Sequence, residues 1–318
     1  MCYSAQVWAD YKKYVRAWGA DIDMQAFYRL YWLRSQGAKV KTPKAMDAAF
    51  ANPLTEDERA IKALIDVCDR QEVSRLEQET FRQRKRLADA ERSLSGKTTK
   101  AATESKRIAA RKVEWALARL ASLRRTELVD VDARIYPGWH APVMVEANGR
   151  RLVKPMRYQC RPAGKPASHD RRYPGTYNAR RDNLEGFWAG QFGYTHGVLV
   201  VNAFYENVSR HAMEHRELAP GEREENVVLE FRPRPRHDML VACLWSHWTG
   251  PDGELDSFAA ITDEPPAEIA AAGHDRCIVP LRRENLDAWL RPCPADLPAL
   301  HAVLDDRDRP YFEHRMAA

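Results

Sequence analysis

The residue with the most distinctive chemistry is Cys2, which directly follows Met1 in the stretch MCYSAQ. A chain that begins at Cys2 after loss of Met1 carries an amine and a thiol on neighbouring carbon atoms. The amine can attack an aldehyde to give a Schiff base, and the thiolate can then close a five-membered ring on the same carbon. A nearby base is needed, because the free amine has a pKa of about 8 and the free thiol one of about 8.5. The alternative is that Cys2 only governs the removal of Met1.

A base for such chemistry is offered by Glu206, which ends the apolar segment VVNAFYE. Burial in this segment would raise the pKa of the carboxyl toward neutrality, so that it could take up and release protons. The alternative is a surface glutamate at the end of a strand.

Metal chemistry finds little support in the sequence. The segment HAMEH places His211 and His215 one turn apart if it is helical, with Glu214 between them. No third ligand is obvious, and we predict neither a metal nor another cofactor. None of the six cysteines forms a C-x-x-C pair, and a reducing compartment disfavours disulfides. We expect buried, unreactive thiols at the other five positions: Cys68, Cys160, Cys243, Cys277 and Cys293.

Residues 55–127 have the composition of a helical hairpin. They contain no proline and are dense in Arg, Lys, Glu and Gln. Thr55 and Glu58 have the spacing of a capping box, and a long helix should begin there. The segment SGKTTKAATES separates it from a second helix. Apolar residues of this second helix recur at steps of three and four, which predicts the seam of a hairpin or short coiled coil: Val113, Ala116, Leu120 and Leu123.

The charge of the molecule is concentrated in this hairpin. Residues 55–127 hold 18 Lys and Arg against 13 Asp and Glu, a net charge of +5 that equals the net charge of the whole chain. One interpretation is a solvated helix pair with charge pairs four residues apart. The other is an arm that contacts phosphates or a partner protein.

The remaining sequence predicts an α+β fold. The pair Asn148-Gly149 between VMVEA and RRLVKPM indicates a β-hairpin. Further strands are expected at YTHGVLVVNAFYE, NVVLEFRP, DMLVACLWSHW and SFAAITDE, without regular alternation with helices. We therefore predict a curved, mostly antiparallel sheet. Residues 1–54 and 128–295 would form one domain, 55–127 an inserted hairpin, and 296–318 a C-terminal tail.

Bulk properties point to an intracellular protein. No run of about 18 apolar residues is present, so no transmembrane helix is expected. The first residues lack the basic and apolar regions of a secretory signal. We expect a cytoplasmic, nucleoid-associated protein with no membrane partner. A pI of about 8.8 permits a nucleic-acid partner without requiring one.

Five segments carry a resemblance to a known family. In chain order they are YPGWHAPVM, YNARRDNLEG, VVNAFYENV, ACLWSHW and GHDRCIVPL. Taken together with Cys2, they resemble the SRAP family, the SOS-response-associated peptidases that crosslink to abasic sites in DNA. The resemblance covers Met1–Ser4 and residues 130–290. The helical hairpin is expected to be an insertion into the family's fold.

The resemblance implies a covalent function. Met1 would be removed, and Cys2 would capture the ring-opened aldehyde of an abasic site in single-stranded DNA as a thiazolidine. This crosslink would protect abasic sites during the response to DNA damage. The implied residues around Cys2 are Asn178, Glu206 and His274. His274 would protonate the ring oxygen of the sugar, and Asn178 would hold the amine or the sugar. From the residues alone, His274 could equally be a capping or core histidine and Asn178 a turn residue.

The expected DNA contacts are Arg180 and Arg276, which suit phosphates, and Tyr158. The family pattern is not kept everywhere. Departures occur at four places: Tyr3-Ser4 replaces a Gly-Arg pair, Tyr158-Gln159 a Trp-Gly pair, Asp182 a glutamate and Asn207 a tryptophan. These differences concern the DNA footprint and its stacking partners, and they leave the residues of the covalent chemistry in place.

Two other functions stay open from the sequence. One is a thiol peptidase with Cys2 as nucleophile and Glu206 as base, in its narrowest form acting on Met1 of its own chain. The other is a non-catalytic interaction protein, in which residues 55–127 bind a replication or repair partner. The expected partners are therefore single-stranded DNA with abasic sites and, through the hairpin, a repair protein.

Overall fold

The computed structural model describes residues 4–251 and 253–317. Cys2 therefore lies outside the described residues. The chain divides into two compact units. The larger takes in the described parts of Met1–Leu30, Lys39–Asn52 and Val129–Ala318, and the smaller consists of Tyr31–Ala38 and Pro53–Leu128.

The larger unit is built on a mostly antiparallel sheet. The strands within the described residues are β1 (Ser4–Val7), β2 (Asp21–Ile22), β3 (Arg134–Ile135), β4 (His140–Ala147), β5 (Arg150–Tyr158), β6 (Asn178–Arg180), β7 (His196–Ser209), β8 (Asn226–Arg234), β9 (Met239–Gly250), β10 (Gly253–Asp263), β11 (Cys277–Ile278), β12 (Pro280–Leu281) and β13 (Tyr311–Met316). The main path runs β12-β9-β10-β5-β4-β7-β1-β3. Only the pairs β2–β5, β5–β10 and β6–β10 are parallel among the described pairings. The predicted α+β class is confirmed.

Short helices surround this sheet, and two long ones form the other unit. In chain order the described α-helices are α1 (Tyr11–Trp18), α2 (Met24–Ser35), α3 (Lys44–Ala48), α4 (Glu56–Gly96), α5 (Lys100–Arg124), α6 (His169–Arg172), α7 (Arg210–Met213), α8 (Ala267–Ala271), α9 (Leu286–Leu290) and α10 (Leu297–Asp305). Among the described residues, none of these helices has both the length and the apolar character needed to cross a bilayer.

The Asn-Gly hairpin forms as the sequence predicts. Asn148 and Gly149 both have a positive φ, 54° and 76°, and they join β4 to β5 so that Ala147 pairs with Arg150. Two consecutive residues with positive φ match the twist of antiparallel strands, which is why this dipeptide favours a two-residue turn. The hairpin fixes the register of β5 against β4.

The strand that matters most for the site is β7, because both of its faces are covered. Val198, Leu199, Val200 and Val201 are all at most 2% exposed. An apolar run without alternation is typical of a strand buried on both sides. β7 pairs with β1, β4, β8 and β9, so it is held rigidly along its whole length.

The smaller unit contains the predicted helical hairpin. The Thr55 hydroxyl accepts the Glu58 N–H at 3.2 Å and caps α4, while the Glu58 carboxylate accepts the Leu54 N–H at 2.6 Å. The seam between α4 and α5 has a core of Leu76, Ala116 and Leu120, with Val73 and Leu123 packed against it. The predicted start of the helix and the seam at Ala116, Leu120 and Leu123 are confirmed.

Residues 296–317 contribute ordered structure to the larger unit. Asp296 caps α10 by accepting the Ala299 N–H at 3.1 Å. β13 then pairs antiparallel with β8, and Phe312 is 3% exposed. The C-terminal segment therefore adds a strand next to β8, the strand that flanks the second half of β7.

Candidate active site

Glu206 lies near the end of β7 and is fully buried, with 0% exposure. Its strand partner is Leu229 on β8, which is also 0% exposed. A carboxyl group in an apolar sheet interior is costly unless a polar partner meets it. The alternative of a surface glutamate is therefore wrong for this position.

His274 supplies that partner. It lies between α8 and β11 and follows Gly273, whose φ of +91° turns the chain. The imidazole is buried, and its Nε2 lies 3.3 Å from Oε2 of Glu206. Burial lowers the pKa of His274, so the neutral imidazole is favoured.

The hydrogen bonds of His274 determine where its proton lies. Nδ1 is 2.9 Å from the carbonyl oxygen of Arg276. A carbonyl only accepts, so Nδ1 carries a hydrogen and donates it. In the neutral ring Nε2 then presents a lone pair to the Glu206 carboxyl. Two lone pairs at 3.3 Å repel, so the contact is favourable only when one proton lies between Nε2 and Oε2. The two side chains can therefore hold and exchange one proton.

The thiol of Cys277 lies near this pair. Cys277, the first residue of β11, is 4% exposed. Burial, and then the negative charge of Glu206, raise the pKa of the Cys277 thiol well above its usual range. The thiol therefore stays protonated at neutral pH and is a poor nucleophile.

The chain enters the sheet beside Glu206. Ser4 is the first described residue, is fully buried, and pairs with Tyr205 on β7. Arg134 fixes this end of β1, because its Nε donates to the Ser4 hydroxyl at 2.9 Å and its guanidinium lies 3.7 Å from the centre of the Tyr205 ring. The described chain thus begins opposite the neighbour of Glu206.

Asn178 starts β6, which runs parallel to β10, so that Asn178 pairs with Ala260. The side chain is buried, and the Tyr158 hydroxyl is 3.5 Å from its Oδ1. Its Nδ2 has no hydrogen-bond acceptor among the described residues. Other such atoms of the described chain include Oγ1 of Thr262 on β10 and Nε of Arg276, and these two residues line one small cavity. Buried polar atoms without partners are uncommon in folded proteins, and two of them at one cavity indicate a ligand site.

The two arginines expected at DNA border a small cavity. Its volume is about 90 Å³, and it is lined by Arg180, Arg181, Asp182, Thr262, Asp263, Glu264, Asp275 and Arg276. Both arginines have carboxylate partners. Nε of Arg180 donates to Asp182 at 3.0 Å, and Arg276 lies 2.9 Å from Asp275. A phosphate at this cavity must therefore compete with these carboxylates.

Tyr158 does not fit the predicted role at the DNA. It is 1% exposed, and its ring stacks on Phe258 with the centroids 5.2 Å apart. Tyr177 packs against it edge-on at 5.6 Å. With its faces covered, the ring of Tyr158 cannot stack on a base, and its described role is to contact Asn178 in the core.

Two exposed aromatic residues flank Asn178 in the sequence. Tyr173 and Phe187 are 39% and 40% exposed, and their rings pack 5.7 Å apart. The Arg172 guanidinium lies 5.5 Å from the centre of the Tyr173 ring. This pair was not predicted, although the segment HDRRYPG places basic residues next to an aromatic one.

No metal site emerges from the described residues. α7 ends at Met213, and His215 has a φ of +50°, so His211 and His215 do not share a helical face. Within residues 4–251 and 253–317, no group of three or more His, Cys, Asp or Glu side chains is arranged to hold a metal ion. The expectation of buried thiols is wrong for Cys293, which is exposed; the other four described cysteines are buried.

Solved structures of low similarity overlap this chain. A protein from Bordetella bronchiseptica is 17% identical with a TM-score of 0.45, covering 58% of this chain and 87% of that one. A protein from Bacteroides thetaiotaomicron is 14% identical with a TM-score of 0.44, covering 58% and 77%. A phage-related protein from Bordetella bronchiseptica is 16% identical with a TM-score of 0.44, covering 61% and 85%. The comparison with curated proteins finds no match.

The comparison with protein families is decisive. The model of the family described as SOS response associated peptidase (SRAP) matches residues 94–316, more than half of the chain. The match spans the buried pair, the Asn178 strand and the cavity. The chain therefore belongs to the SRAP family, a membership that supports a function associated with DNA damage.

Proposed function

We propose that the mature protein crosslinks abasic sites in single-stranded DNA through a thiazolidine formed by Cys2. The observation that carries this proposal is the buried pair of Glu206 and His274, with Nε2 and Oε2 3.3 Å apart. The pair lies on and beside the strand that pairs with β1, the strand that follows Cys2 in the chain. Family membership is the second support.

The reaction needs two bonds to carbon and loses one water. Removal of Met1 frees the α-amine of Cys2. The amine nitrogen adds to the aldehyde carbon of the ring-opened sugar, and the resulting hydroxyl leaves as water to give an imine. The Cys2 sulfur then forms a bond to the same carbon, while its proton ends on the nitrogen. Because both nucleophiles belong to one residue, the second step is intramolecular and gains the corresponding entropic advantage.

The buried pair suits the proton transfers of this sequence. The ammonium must lose a proton before it attacks, and the departing hydroxyl must gain one. Glu206 and His274 can hold one proton between them, with Nδ1 of His274 fixed by the carbonyl of Arg276. The same site can thus take the proton in one step and return it in the next.

Chain geometry supports Cys2 as the nucleophile for this site. Two residues span at most about 7 Å. Ser4 pairs with Tyr205, the neighbour of Glu206, and is held there by Arg134. The distance along the chain from Ser4 therefore allows Cys2 to reach the end of β7. Asn178 Nδ2 and Thr262 Oγ1, which lack partners in the described chain, are suitable contacts for the sugar hydroxyls.

The DNA strand requires cations and stacking surfaces. The Arg180–Asp182 pair is largely exposed, and exposed ion pairs contribute only about 0–1 kcal/mol, so a phosphate can replace the carboxylate at small cost. Arg276 offers a second guanidinium at the same cavity. For stacking we propose Tyr173 and Phe187, because both are exposed and their rings pack together, one on the segment before Asn178 and one on the segment after it.

The test is covalent capture on a denaturing gel. Purified protein is incubated with a labelled single-stranded oligonucleotide that carries one abasic site. Wild type should give a band that survives denaturant, and Cys2→Ala should give none. Cys293→Ala is the matched control, because Cys293 is an exposed thiol without an α-amine. An adduct that persists in Cys2→Ala would contradict the proposal.

A second candidate function is peptide hydrolysis, favoured by the family's description as a peptidase. Cys2 would be the nucleophile and Glu206 the base. In its narrowest form the substrate is the bond after Met1. Mass spectrometry of protein made in a host without methionine aminopeptidase activity tests this form. Loss of Met1 in wild type and its retention in Glu206→Gln would support self-processing, and retention in both would exclude it.

A further inference from the structure

The charge of the helical hairpin is strongly polarised along its length. Residues 82–112, which form the end where α4 connects to α5, hold 11 Lys and Arg against 3 Asp and Glu. This loop end therefore carries a net charge of +8. The rest of the segment 55–127 holds 7 Lys and Arg against 10 Asp and Glu, a net charge of −3. The net charge of +5 for residues 55–127 is therefore the sum of a basic loop end and an acidic remainder.

The cations of the loop end are exposed, and about half of them lack a carboxylate partner. Arg82, Arg92 and Arg107 pair with acidic residues three positions away on the same helix. Six others lie within 4 Å of no carboxylate in the described chain, and all six are exposed: Arg84, Lys85, Arg86, Lys97, Lys100 and Arg111. Charge pairs within the hairpin therefore do not explain these residues.

Several of these cations surround a concave surface between the two helices. Its volume is about 660 Å³, and its charged lining consists of Arg82, Lys85, Arg86, Lys97 and Asp89. Nε of Arg86 donates a hydrogen bond to the Ser105 hydroxyl on α5, at 2.9 Å. Four cations against one carboxylate make this surface an attractive site for anions.

The charge at the start of α5, unlike that at the start of α4, does not serve the stability of the hairpin. The first turn of α4 has Glu56, Asp57 and Glu58, which complement the positive end of its dipole. The first turn of α5 has no acidic residue and begins with Lys100. A cation there opposes the dipole and costs a few tenths of a kcal/mol or more. An anionic partner would reverse this penalty.

The absence of large exposed apolar side chains from the described residues 82–112 indicates the kind of partner. Residues 82–112 contain no Phe, Trp or Tyr, so they cannot stack on the bases of a single strand. The large exposed apolar residues of the described hairpin, such as Phe81 and Trp115, lie outside 82–112. The centre of a protein interface is rich in aromatic and other large apolar side chains, and none of the large exposed apolar residues of the described chain lies in 82–112. Contact through charge alone is typical of binding to the backbone of duplex DNA.

We propose that residues 82–112 are a second nucleic-acid site, which binds the phosphate backbone of double-stranded DNA without reading its sequence. The residues that act are the six unpaired cations, presented by two helices joined in a hairpin. This site does not depend on Cys2 or on the buried pair of Glu206 and His274. Its expected function is to retain the protein on the duplex that flanks a single-stranded gap.

Salt dependence and a charge-matched control test this proposal. Fluorescence anisotropy with a duplex of about 20 base pairs and no abasic site measures the affinity of the full chain. The affinity should fall with salt at a log–log slope of about −5, because each of the six phosphate contacts contributes about −0.9. The test variant replaces four residues of the loop end with alanine: Arg84, Lys85, Lys97 and Lys100. The control replaces four cations at the other end with alanine: Arg59, Lys62, Arg70 and Arg119.

Both variants lower the net charge by the same amount. A difference between them in DNA affinity therefore reports the position of the cations and not the total charge. We expect the loop-end variant to bind the duplex at least tenfold more weakly with a slope nearer zero, and the control to bind within about twofold of wild type. Equal weakening in both variants, or a wild-type affinity that is insensitive to salt, would overturn the proposal. Circular dichroism checks that the helices persist. Crosslinking of a short single strand should be unchanged in the loop-end variant, so the failure of either proposal leaves the other intact.

Discussion

Nε2 of His274 lies 3.3 Å from Oε2 of Glu206, and 68 residues of chain separate the two in sequence. The opposite ring nitrogen of His274 is committed to the carbonyl oxygen of Arg276. The pair is therefore a place for one proton, inside a sheet where water is excluded from Glu206. This relationship gives specific expectations for variants at both positions.

Glu206→Gln should slow crosslinking without weakening DNA binding. The amide has nearly the shape of the carboxyl and can still donate to Nε2, but it cannot accept and return a proton. A positioned acid–base group contributes about 10²- to 10⁴-fold, so a decrease in that range is expected in single-turnover rate. The rate is measured with protein in excess over an abasic oligonucleotide. An unchanged rate would remove Glu206 from the chemistry.

The two members of the pair should not act independently. If Glu206 and His274 share one proton, the variant Glu206→Gln/His274→Gln should be about as slow as the slower single variant. If each group serves a separate step, the two effects should multiply. A double-variant cycle on the single-turnover rate distinguishes these outcomes, and multiplication would contradict a shared proton.

Gly273→Ala should impair the site through the position of His274. Gly273 has a φ of +91°, and an added Cβ would lie 3.2 Å from the Cβ of Ala212. We expect destabilisation by about 1–2 kcal/mol and a slower crosslinking rate. Gly221→Ala is the matched control, since Gly221 has a φ of +82° with no atom within 4 Å of its Cβ position.

The two glycine variants distinguish an effect of backbone strain from an effect on the position of the His274 imidazole. Both should lose stability in a denaturant titration, because each forces an alanine into a left-handed conformation. Only Gly273→Ala should lose crosslinking rate. Equal rates in the two variants would show that the chain at Gly273 does not position the imidazole.

Removing a carboxylate at the small cavity should strengthen DNA binding. Asp182→Asn frees Arg180, and Asp275→Asn frees Arg276, because each guanidinium pairs with that carboxylate. We expect a severalfold increase in affinity for single-stranded DNA at low salt, and a decrease of similar size in Arg180→Ala. Anisotropy with an undamaged oligonucleotide measures both. If the aspartate variants bind more weakly, the carboxylates rather than the arginines contact the DNA.

Acid should destabilise the protein through two buried histidines. Burial lowers the pKa of His196 to about 3 and that of His140 to about 4. The His196 ring accepts the Gly193 N–H at Nε2 and lies 3.0 Å from the Trp289 carbonyl at Nδ1, so it is held neutral. The unfolded chain has histidine pKa values of about 6.5 and binds more protons below that pH. The free energy of unfolding should therefore fall as pH falls from about 6.5 toward 4, by up to about 1.4 kcal/mol per pH unit for each histidine.

Denaturant titrations at several pH values check this slope. His196→Gln should be less stable than wild type at neutral pH, because the variant loses ring packing against Trp289. It should also lose less stability between pH 6.5 and 4, since one titrating group is gone. The same pH slope in wild type and variant would show that His196 does not carry the effect.

Local sequence features predicted much of the fold. The Thr55 cap, the seam of the hairpin and the Asn148-Gly149 turn each depend on a few neighbouring residues, and all three occur in the structure. Pairing between strands that are distant in the chain is harder to predict from the sequence. The parallel contact of β6 with β10 and the addition of β13 to β8 depend on residues far apart in the chain. No local pattern specifies such partners.

In the candidate site, too, features that depend on neighbouring residues were predicted and contacts between distant residues were not. Glu206 was singled out by its apolar segment, and the structure places it in the interior. The family resemblance implied a DNA contact for Tyr158, which stands where the family has a tryptophan. The sequence around Tyr158 does not show that Phe258 and Tyr177 cover its ring. The carboxylate partner of Arg180 is two residues away, and that of Arg276 is its immediate neighbour. Both carboxylates are close to their arginines in the sequence. The sequence does not show, however, whether each arginine pairs with its carboxylate or binds a phosphate.

The most direct test of the central claim is the intact mass of the adduct formed with an abasic single strand. We expect a protein without Met1, joined to the oligonucleotide with the loss of one water, and a peptide map that places the linkage on Cys2. Cys293→Ala should give the same product in the same yield. A linkage at Cys293 or at a lysine, or no covalent product from a protein that begins at Cys2, would contradict it.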